Sequence, residues 1–251
     1  MESLLALRLI LLLPILGAGL IGMLGLFYPP FRQQEKLIGA IATGAVAVPF
    51  LVTVGLFLGH GPGAEVVEYF RWMEAGDFEL VFSYRIDALS ILMTLIVTGV
   101  GALIHLYSVG YMHGDSGYWR FFAYLNLFIF AMLNLVLAEN LVVLFLGWEG
   151  VGLCSYLLIG FWYTDLKKSA AANKAFIVNR IGDFAFLLGM FALYAAVTAE
   201  GVTPFGLDFT TLFASQELLS SGLIATVVLL FFIGATGKSA QIPLFVWLPD
   251  A

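Results

Sequence analysis

The chain has 251 residues, of which 61% are hydrophobic and only 11% are charged, and its mean hydropathy is +1.00. This composition excludes an ordinary soluble domain and predicts an all-α polytopic membrane protein. The formal net charge of -6 arises from acidic residues in the predicted outer loops, and no nucleic-acid partner is expected.

Seven apolar runs are long enough to cross a lipid bilayer, since a helical span needs about 20 apolar residues. The first run begins like a signal peptide but stays apolar beyond the usual length, so we interpret it as a retained helix. The seven spans are predicted at residues 4–27, 37–59, 87–109, 119–138, 140–163, 175–198 and 221–246.

The charges in the loops predict the orientation of the chain. Lysines and arginines concentrate in the loops after spans one, three and five, whereas the opposite loops hold mostly acidic residues, among them Glu139. Because positive loops stay on the cytoplasmic side, the amino terminus is predicted to lie outside the cytoplasm or its organellar equivalent.

The segment between the second and third spans differs from the rest. Residues 60–85 mix glycine, proline and acidic residues with the alternating sequence FELVFSYRI, which predicts an exterior loop with one short β-hairpin. It divides the chain into residues 1–85, with two spans, and residues 86–251. Asp87 opens the third span, where a carboxylate is favoured as a helix cap.

Lys238 lies in the last apolar run, five residues before Pro243. A charge in the hydrocarbon core is costly, which makes this lysine a candidate for function. Proline cannot donate to the carbonyl four residues earlier, so a discontinuous helix is predicted near Lys238–Pro243. The alternative is a lysine whose side chain merely extends to the membrane interface.

Glu149 is a second charged residue inside an apolar span, in the sequence LVVLFLGWEGVGLCSYLLIGFW. The small residues around it favour close helix packing, which would keep the carboxylate away from lipid. We interpret Glu149 as a functional carboxylate. A structural carboxylate bound to a backbone or hydroxyl group is the alternative.

The sixth span carries a polar stripe formed by Asn173, Asn179, Arg180 and Asp183, which share one face of a helix. Arg180 and Asp183 are three residues apart and are predicted to pair. Mutual neutralisation alone could explain both charges, so a structural and a functional pair both stay open.

Single polar residues and one near-motif complete the candidates. His105, near the end of the third span, is a weak candidate for proton transfer, with an interfacial or hydrogen-bonded histidine as the alternative. The single cysteine, Cys154, excludes a disulfide framework and any cysteine-held iron–sulfur cluster within this chain. The sequence GATGKS resembles a phosphate-binding loop, but Phe232 stands where that motif requires glycine.

Four segments resemble a known family: DALSILMTLIVTGVGALIHLYSVGYM, LNLVLAENLVVLFLGWEGVGLCSYLLIGFWY, NKAFIVNRIGDFAFLLGM and GATGKSAQIPLFVWLPDA. Residues 82–251 resemble the L-subunit family of bacterial NADH-quinone oxidoreductase, equivalent to subunit 5 of mitochondrial respiratory complex I. The resemblance implies an antiporter-like bundle with two inverted repeats, each with a broken helix and a central lysine. The chain is then expected to be an amino-terminal fragment that contains a truncated first repeat.

The resemblance also implies roles for the charged residues. Glu149 corresponds to the family's membrane glutamate, Lys238 to its first broken-helix lysine, and Asp183 and Arg180 to the polar pair that modulates them. The implied function is proton translocation, coupled through the Glu149–Lys238 pair to quinone reduction elsewhere in the complex.

The expected surroundings follow from the same resemblance. No cofactor or metal is expected on this chain, while FMN and iron–sulfur clusters are expected on partner subunits. The expected partners are the other membrane and hydrophilic-arm subunits, in a bacterial inner membrane or, for an organellar protein, the mitochondrial inner membrane. The large subunit of a multisubunit sodium/proton antiporter and a non-translocating membrane scaffold are the alternatives.

Overall fold

The fold is known from a computed structural model that describes residues 2–61 and 63–251. Among the described residues, seven helices are long and apolar enough to cross a membrane, which confirms the predicted all-α polytopic class. These are α1 (Glu2–Phe27), α2 (Glu35–Gly59), α3 (Ala88–Tyr111), α4 (Tyr118–Leu137), α5 (Leu141–Ile159), α6 (Leu166–Ala199) and α8 (Ser221–Lys238), with a short α7 (Phe209–Ala214) between the last two.

The sixth span is longer than predicted. Helix α6 begins at Leu166 rather than near residue 175, because Asp165 caps it: Oδ1 of Asp165 accepts a hydrogen bond of 2.9 Å from the amide of Lys167. The polar first turns consist mainly of lysine and alanine, which are good helix formers. These turns contain few large apolar residues, so the apolar pattern did not include them in the predicted span.

The predicted hairpin is present and is longer than expected. Strands β1 (Glu65–Ala75) and β2 (Phe78–Ile86) form a two-stranded sheet. The tight turn between them contains Gly76 at a φ of +59°, in the left-handed region that glycine adopts at little cost. Phe70 and Phe82 stack across the strands with ring centroids 5.2 Å apart, so aromatic pairing adds to the backbone ladder.

The chain forms two compact units that interleave along the sequence. The first unit contains Met1–Val67, Arg85–Leu137 and Leu146–Cys154, and the second contains Glu68–Tyr84, Ala138–Phe145 and Ser155–Ala251. The division into residues 1–85 and 86–251 stays a prediction.

In the first unit, helices α1 to α4 form a bundle, and the start of α3 is fixed by a capping box. Oδ1 of Asp87 accepts from the amide of Ser90 at 2.8 Å, and Oγ of Ser90 accepts from the amide of Asp87 at 2.8 Å. The predicted cap is confirmed. Burial opposes the charge, but hydrogen bonds from Ser90 and Arg85 outweigh it and hold the pKa of Asp87 below its usual value.

In the second unit, the short connection between α4 and α5 is tied into the β-hairpin. The side chain of Asn140 donates to the carbonyl of Val81 at 2.9 Å and accepts from the amide of Val143 at 2.8 Å, which caps α5. Glu139, placed among the outer-loop acids by the sequence, is buried instead. Its carboxylate accepts from Oγ1 of Thr210 at 2.6 Å, so this acid fixes a loop.

Candidate functional site

The helix that carries Lys238 ends at this residue. Ala240 has a φ of +49°, the amide of Gln241 donates to the carbonyl of Thr236 at 2.9 Å, and the amide of Ala240 donates to the carbonyl of Gly237 at 3.3 Å. These bonds form a Schellman motif, which closes a helix with a left-handed residue. The lysine therefore lies in the last turn of α8, where the helix dipole favours a cation.

The predicted break near Lys238–Pro243 is confirmed, but its form differs from the expectation. Helix α8 ends at Lys238, so Pro243 does not interrupt a helical hydrogen bond to the carbonyl of Ser239. The predicted span to residue 246 is wrong, because the left-handed Ala240 closes α8 earlier. After the break the chain forms a 3-10 helix over Phe245–Asp250. The indole of Trp247 donates to the carbonyl of Gly237 at 2.9 Å, so a side chain beyond the break binds the helix end.

Glycines bring the backbones of α6 and α8 into close contact next to the charged residues. A Cβ placed on Gly182 would lie 3.1 Å from the carbonyl oxygen of Gly234, and one placed on Gly234 would lie 3.0 Å from Cβ of Phe186. Small residues at such crossings allow this approach. Because Gly182 precedes Asp183 and Gly237 precedes Lys238, the crossing places a carboxylate beside the ammonium group.

Three charged side chains meet at this crossing. Nζ of Lys238 lies 3.6 Å from Oδ1 of Asp183, and Nη1 of Arg180 lies 3.8 Å from Oδ2. The side chain of Asp183 is 3% exposed, that of Lys238 is 18% exposed and that of Arg180 is 47% exposed. At an effective dielectric of about 20, unit charges at the Lys238–Asp183 distance attract by roughly 4–5 kcal/mol.

The trio defines what the site can do chemically. With all groups ionised, two cations face one carboxylate. Arginine stays protonated in proteins, whereas a lysine can lose its proton. If Lys238 loses its proton, Asp183 still faces the positive charge of Arg180. Release of that proton would leave the Arg180–Asp183 pair neutral as a whole. The predicted Arg180–Asp183 pair is present, and Lys238 joins it.

The rest of the predicted polar stripe on α6 is not uniform. Asp183 is buried, whereas Asn173 and Arg180 are exposed. The amide of Asn179 donates to the carbonyl of Ala175 at 2.8 Å, which is a local bond within the helix. The stripe therefore combines a buried charge at Asp183, a partly buried amide at Asn179 and two exposed residues. Lys174, which lies off the stripe, forms an ion pair of 2.7 Å with Asp250.

Glu149 lies on α5, in the segment that belongs to the first unit, and its side chain is partly buried. The glycines on either side allow α4 and α5 to approach closely: a Cβ on Gly147 would lie 2.5 Å from the amide nitrogen of Leu135, and one on Gly150 would lie 2.8 Å from Cβ of Ala131. The close packing expected around this carboxylate is therefore observed. Its coupling to Lys238 stays a prediction.

His105 is fully buried in the first unit, with 1% of its surface exposed. Its Nδ1 lies 2.7 Å from the carbonyl oxygen of Gly101, and only a protonated nitrogen can donate to a carbonyl. The interfacial alternative does not fit this burial. A hydrogen-bonded histidine is observed, and a role in proton transfer stays a prediction.

Sequence reasoning missed two features of the site. The glycine spacing of α6 and α8 carried a signal, because Gly182 and Gly234 lie beside charged residues in apolar helices, as close-packing positions often do. No sequence signal indicated the bond from Trp247 to the helix end, since this bond depends on how the chain turns after Ala240.

Comparisons with known proteins agree with this architecture. Residues 138–251 match the family described as NADH:quinone oxidoreductase/Mrp antiporter, TM, and residues 72–122 match the family described as NADH-Ubiquinone oxidoreductase (complex I), chain 5 N-terminus. The two matched regions include Glu149, Asp183, Lys238 and His105.

Two curated relatives and one solved structure illustrate the similarity. NADH-quinone oxidoreductase subunit L of Escherichia coli (strain K12) is 44% identical over 235 residues, which cover 92% of this chain and 38% of that protein. NAD(P)H-quinone oxidoreductase chain 5 of Synechocystis sp. is 42% identical over 248 residues, which cover 97% of this chain and 36% of that protein. The structure of the Mrp complex from Dietzia sp. DQ12-45-1b matches 97% of this chain and 25% of its own, with a TM-score of 0.78 and 28% identity.

The chain thus spans little more than a third of the length of these curated relatives. Its apolar helices and bacterial relatives establish a multi-pass integral membrane protein of the bacterial inner membrane. With 42–44% identity to these relatives over more than nine-tenths of its length, the chain belongs to the family of the NADH-quinone oxidoreductase subunit L and chain 5 proteins.

Proposed function

We propose that this chain belongs to a proton-translocating membrane subunit of an NADH:quinone oxidoreductase, in which Lys238 holds and releases the transported proton. The observation that carries the proposal is the position of Lys238 at a helix end, with its ammonium group 3.6 Å from the buried carboxylate of Asp183. Intramembrane lysines with such partners mark ion pathways.

The proton affinity of Lys238 depends on the charges around it. Asp183 favours the ammonium form and Arg180 opposes it, so a change in the Asp183–Arg180 distance would shift the balance. In the proposed mechanism, Glu149 supplies a further negative charge whose ionisation changes this affinity. Proton uptake follows when Asp183 faces the lysine, and release follows when Asp183 pairs with Arg180 instead.

The proposed partners and cofactors follow from the names of the relatives. As part of the larger enzyme, the chain would assemble with other membrane and hydrophilic-arm subunits in the lipid bilayer. We expect FMN and iron–sulfur clusters on those partners. This chain would contribute the proton path, driven by quinone reduction elsewhere in the complex.

A second candidate is the large subunit of a multisubunit sodium/proton antiporter, favoured by the similarity to the Mrp complex. The two candidates differ in partners, because the antiporter needs no redox subunits. Purification of the tagged full-length protein from its native membrane separates them. NADH-quinone reductase activity with bound flavin supports the first candidate. Sodium/proton exchange by a flavin-free preparation after reconstitution supports the second.

The lysine is tested in the same preparation. Lys238→Ala should abolish proton translocation through this subunit, because no other group of the trio can release a proton at neutral pH. Lys174→Ala is the matched control, since Lys174 forms an exposed ion pair with Asp250. Full proton stoichiometry in the Lys238→Ala complex would contradict the proposal.

A further inference from the structure

Four buried polar atoms in the bundle of α2, α3 and α4 have no hydrogen-bond partner among the protein groups that the structure describes. They are Oγ1 of Thr43, Nε2 of His105, Oη of Tyr118 and Oδ1 of Asn126. Other polar groups of the same helices are bonded: Oγ1 of Thr53 donates to the carbonyl of Pro49 at 2.8 Å. The unpartnered atoms are therefore confined to certain positions on these helices.

The four atoms belong to consecutive layers of the bundle. Tyr118, Phe122 and Asn126 follow each other at intervals of one turn on α4, so the first and last are about 12 Å apart along the helix axis. The ring of Phe122 lies 4.7 Å from that of Tyr118 and 6.2 Å from that of His105. His105 thus lies at the level between Tyr118 and Asn126.

Helix α2 supplies the fourth member at a matching level. A Cβ placed on Gly39 would lie 3.0 Å from Oη of Tyr118. Thr43 follows Gly39 by one turn on the same face, while His105 precedes by one turn Val109, which also contacts Gly39. Thr43 and His105 therefore share one layer, directly after the layer that contains Tyr118.

One end of this row lies beside a titratable pair. Glu35 lies one turn before Gly39, and its carboxylate pairs with Nδ1 of His113 at 2.5 Å and accepts from the amide of Gly114 at 3.1 Å. These residues belong to the loop side of the bundle that the charge pattern assigns to the cytoplasm. The row runs from this pair towards the middle of the span.

The chemistry of the row identifies its ligand. Because Nδ1 of His105 donates to Gly101, Nε2 of the neutral ring is an acceptor, and Oδ1 of Asn126 accepts as well. Neither acceptor receives a hydrogen bond from the protein groups that the structure describes. Leaving four such atoms without partners would cost a free energy comparable with the whole stability of a small domain. A water molecule can donate to such acceptors and accept from the two hydroxyl groups.

We propose that the α1–α4 bundle binds a short file of water molecules along Tyr118, Thr43, His105 and Asn126, with Nε2 of His105 as a hydrogen-bond acceptor for one of them. All members lie in the first unit, so the file is a separate feature from the Lys238 site. The proposal does not depend on the proposed function, because its test measures water and stability rather than proton pumping.

The test uses the full-length protein in its native complex. The double variant Thr43→Val/Tyr118→Phe removes two hydroxyl groups with little change in volume. Unbonded hydroxyls would make this variant more stable, since an unsatisfied buried group is lost, whereas water-bound hydroxyls make it less stable. We expect the melting temperature of the subunit to fall by a few degrees. Thr53→Val calibrates the loss of one bonded hydroxyl on the same helix.

A direct measurement accompanies the thermal one. A cryo-EM map that resolves ordered water should show density within about 3.2 Å of Nε2 of His105, and this density should be absent in His105→Phe. An empty position beside Nε2 in the native map, or a melting temperature that stays constant or rises in the double variant, would overturn the proposal.

Discussion

Nζ of Lys238 lies 3.6 Å from Oδ1 of Asp183, although the two residues belong to different helices. The same carboxylate faces Arg180 through its other oxygen. A buried carboxylate between two cations makes Asp183 the centre of the site. Asp183 is the most buried of the three, with 3% of its side chain exposed against 18% for Lys238 and 47% for Arg180, so the loss of its charge should cost the most stability.

This asymmetry predicts unequal effects of the two neutral variants. Asp183→Asn should destabilise the protein by about 3–5 kcal/mol, because it removes the buried negative charge that faces both Lys238 and Arg180. Lys238→Gln should cost less, since Arg180 still pairs with Asp183. The melting temperature of the purified protein in detergent measures both effects. Lys174→Gln, at an exposed pair, should change stability by less than about 1 kcal/mol. Equal losses for the two buried positions would contradict this asymmetry.

The contact of Gly182 with Gly234 predicts that a single methyl group disturbs the site. Gly182→Ala would push against the carbonyl of Gly234, which cannot move without shifting α8, and overpacking of this kind costs about 1–3 kcal/mol. Gly222→Ala on α8 is the control, because nothing lies within 4 Å of its Cβ position. We expect reduced proton translocation and a lower melting temperature only in Gly182→Ala. A silent Gly182→Ala would show that the helices tolerate separation.

Ala240 predicts a stabilising substitution at the helix break. A left-handed backbone costs a residue with a Cβ about 1–2 kcal/mol. Glycine avoids this cost, but it loses more backbone entropy on folding, which offsets part of the stabilisation. Ala240→Gly should therefore raise stability by up to about 1 kcal/mol. Ala240→Val, with a branched side chain, should lower it. The melting temperatures of the two variants give the signs, and a stabilising valine would argue against a left-handed residue.

Asp87 predicts a pH-dependent contribution to stability. Its pKa is lower in the folded protein than in the unfolded chain, where it is about 3.9. Its stabilising effect is therefore fully present above pH 4 to 5 and is lost as the pH falls through the folded value. Asp87→Asn keeps a capping oxygen but loses the charge that Arg85 and the helix dipole favour. It should therefore reduce stability at pH 6 by up to about 1 kcal/mol, and the difference from wild type should shrink towards pH 3.

The control for the pH measurement is Glu68→Gln, an exposed acid on β1. Unfolding of both variants is followed from pH 6 to pH 3 in the same detergent. A difference between Asp87→Asn and wild type that stays constant over this range would mean that the carboxylate charge contributes nothing to the cap.

The sequence alone predicted the features that depend on local pattern. Apolar length marked the seven spans, alternation marked the β-hairpin, and Asp87 marked the start of α3, because each signal lies within one segment. The break after Lys238 was also predictable, since Pro243 excludes a continuous helix. Its position was not, because the left-handed turn at Ala240 has no strong sequence signal.

Tertiary structure decided which polar groups meet. Only the close crossing of α6 and α8 at Gly182 and Gly234 brings Asp183 to Lys238, and only the fold of the loop around Thr210 buries Glu139. Such contacts join residues from distant parts of the chain and depend on side-chain size at the crossing. Composition determines that the chain enters a membrane, and packing between helices determines where its charges find partners.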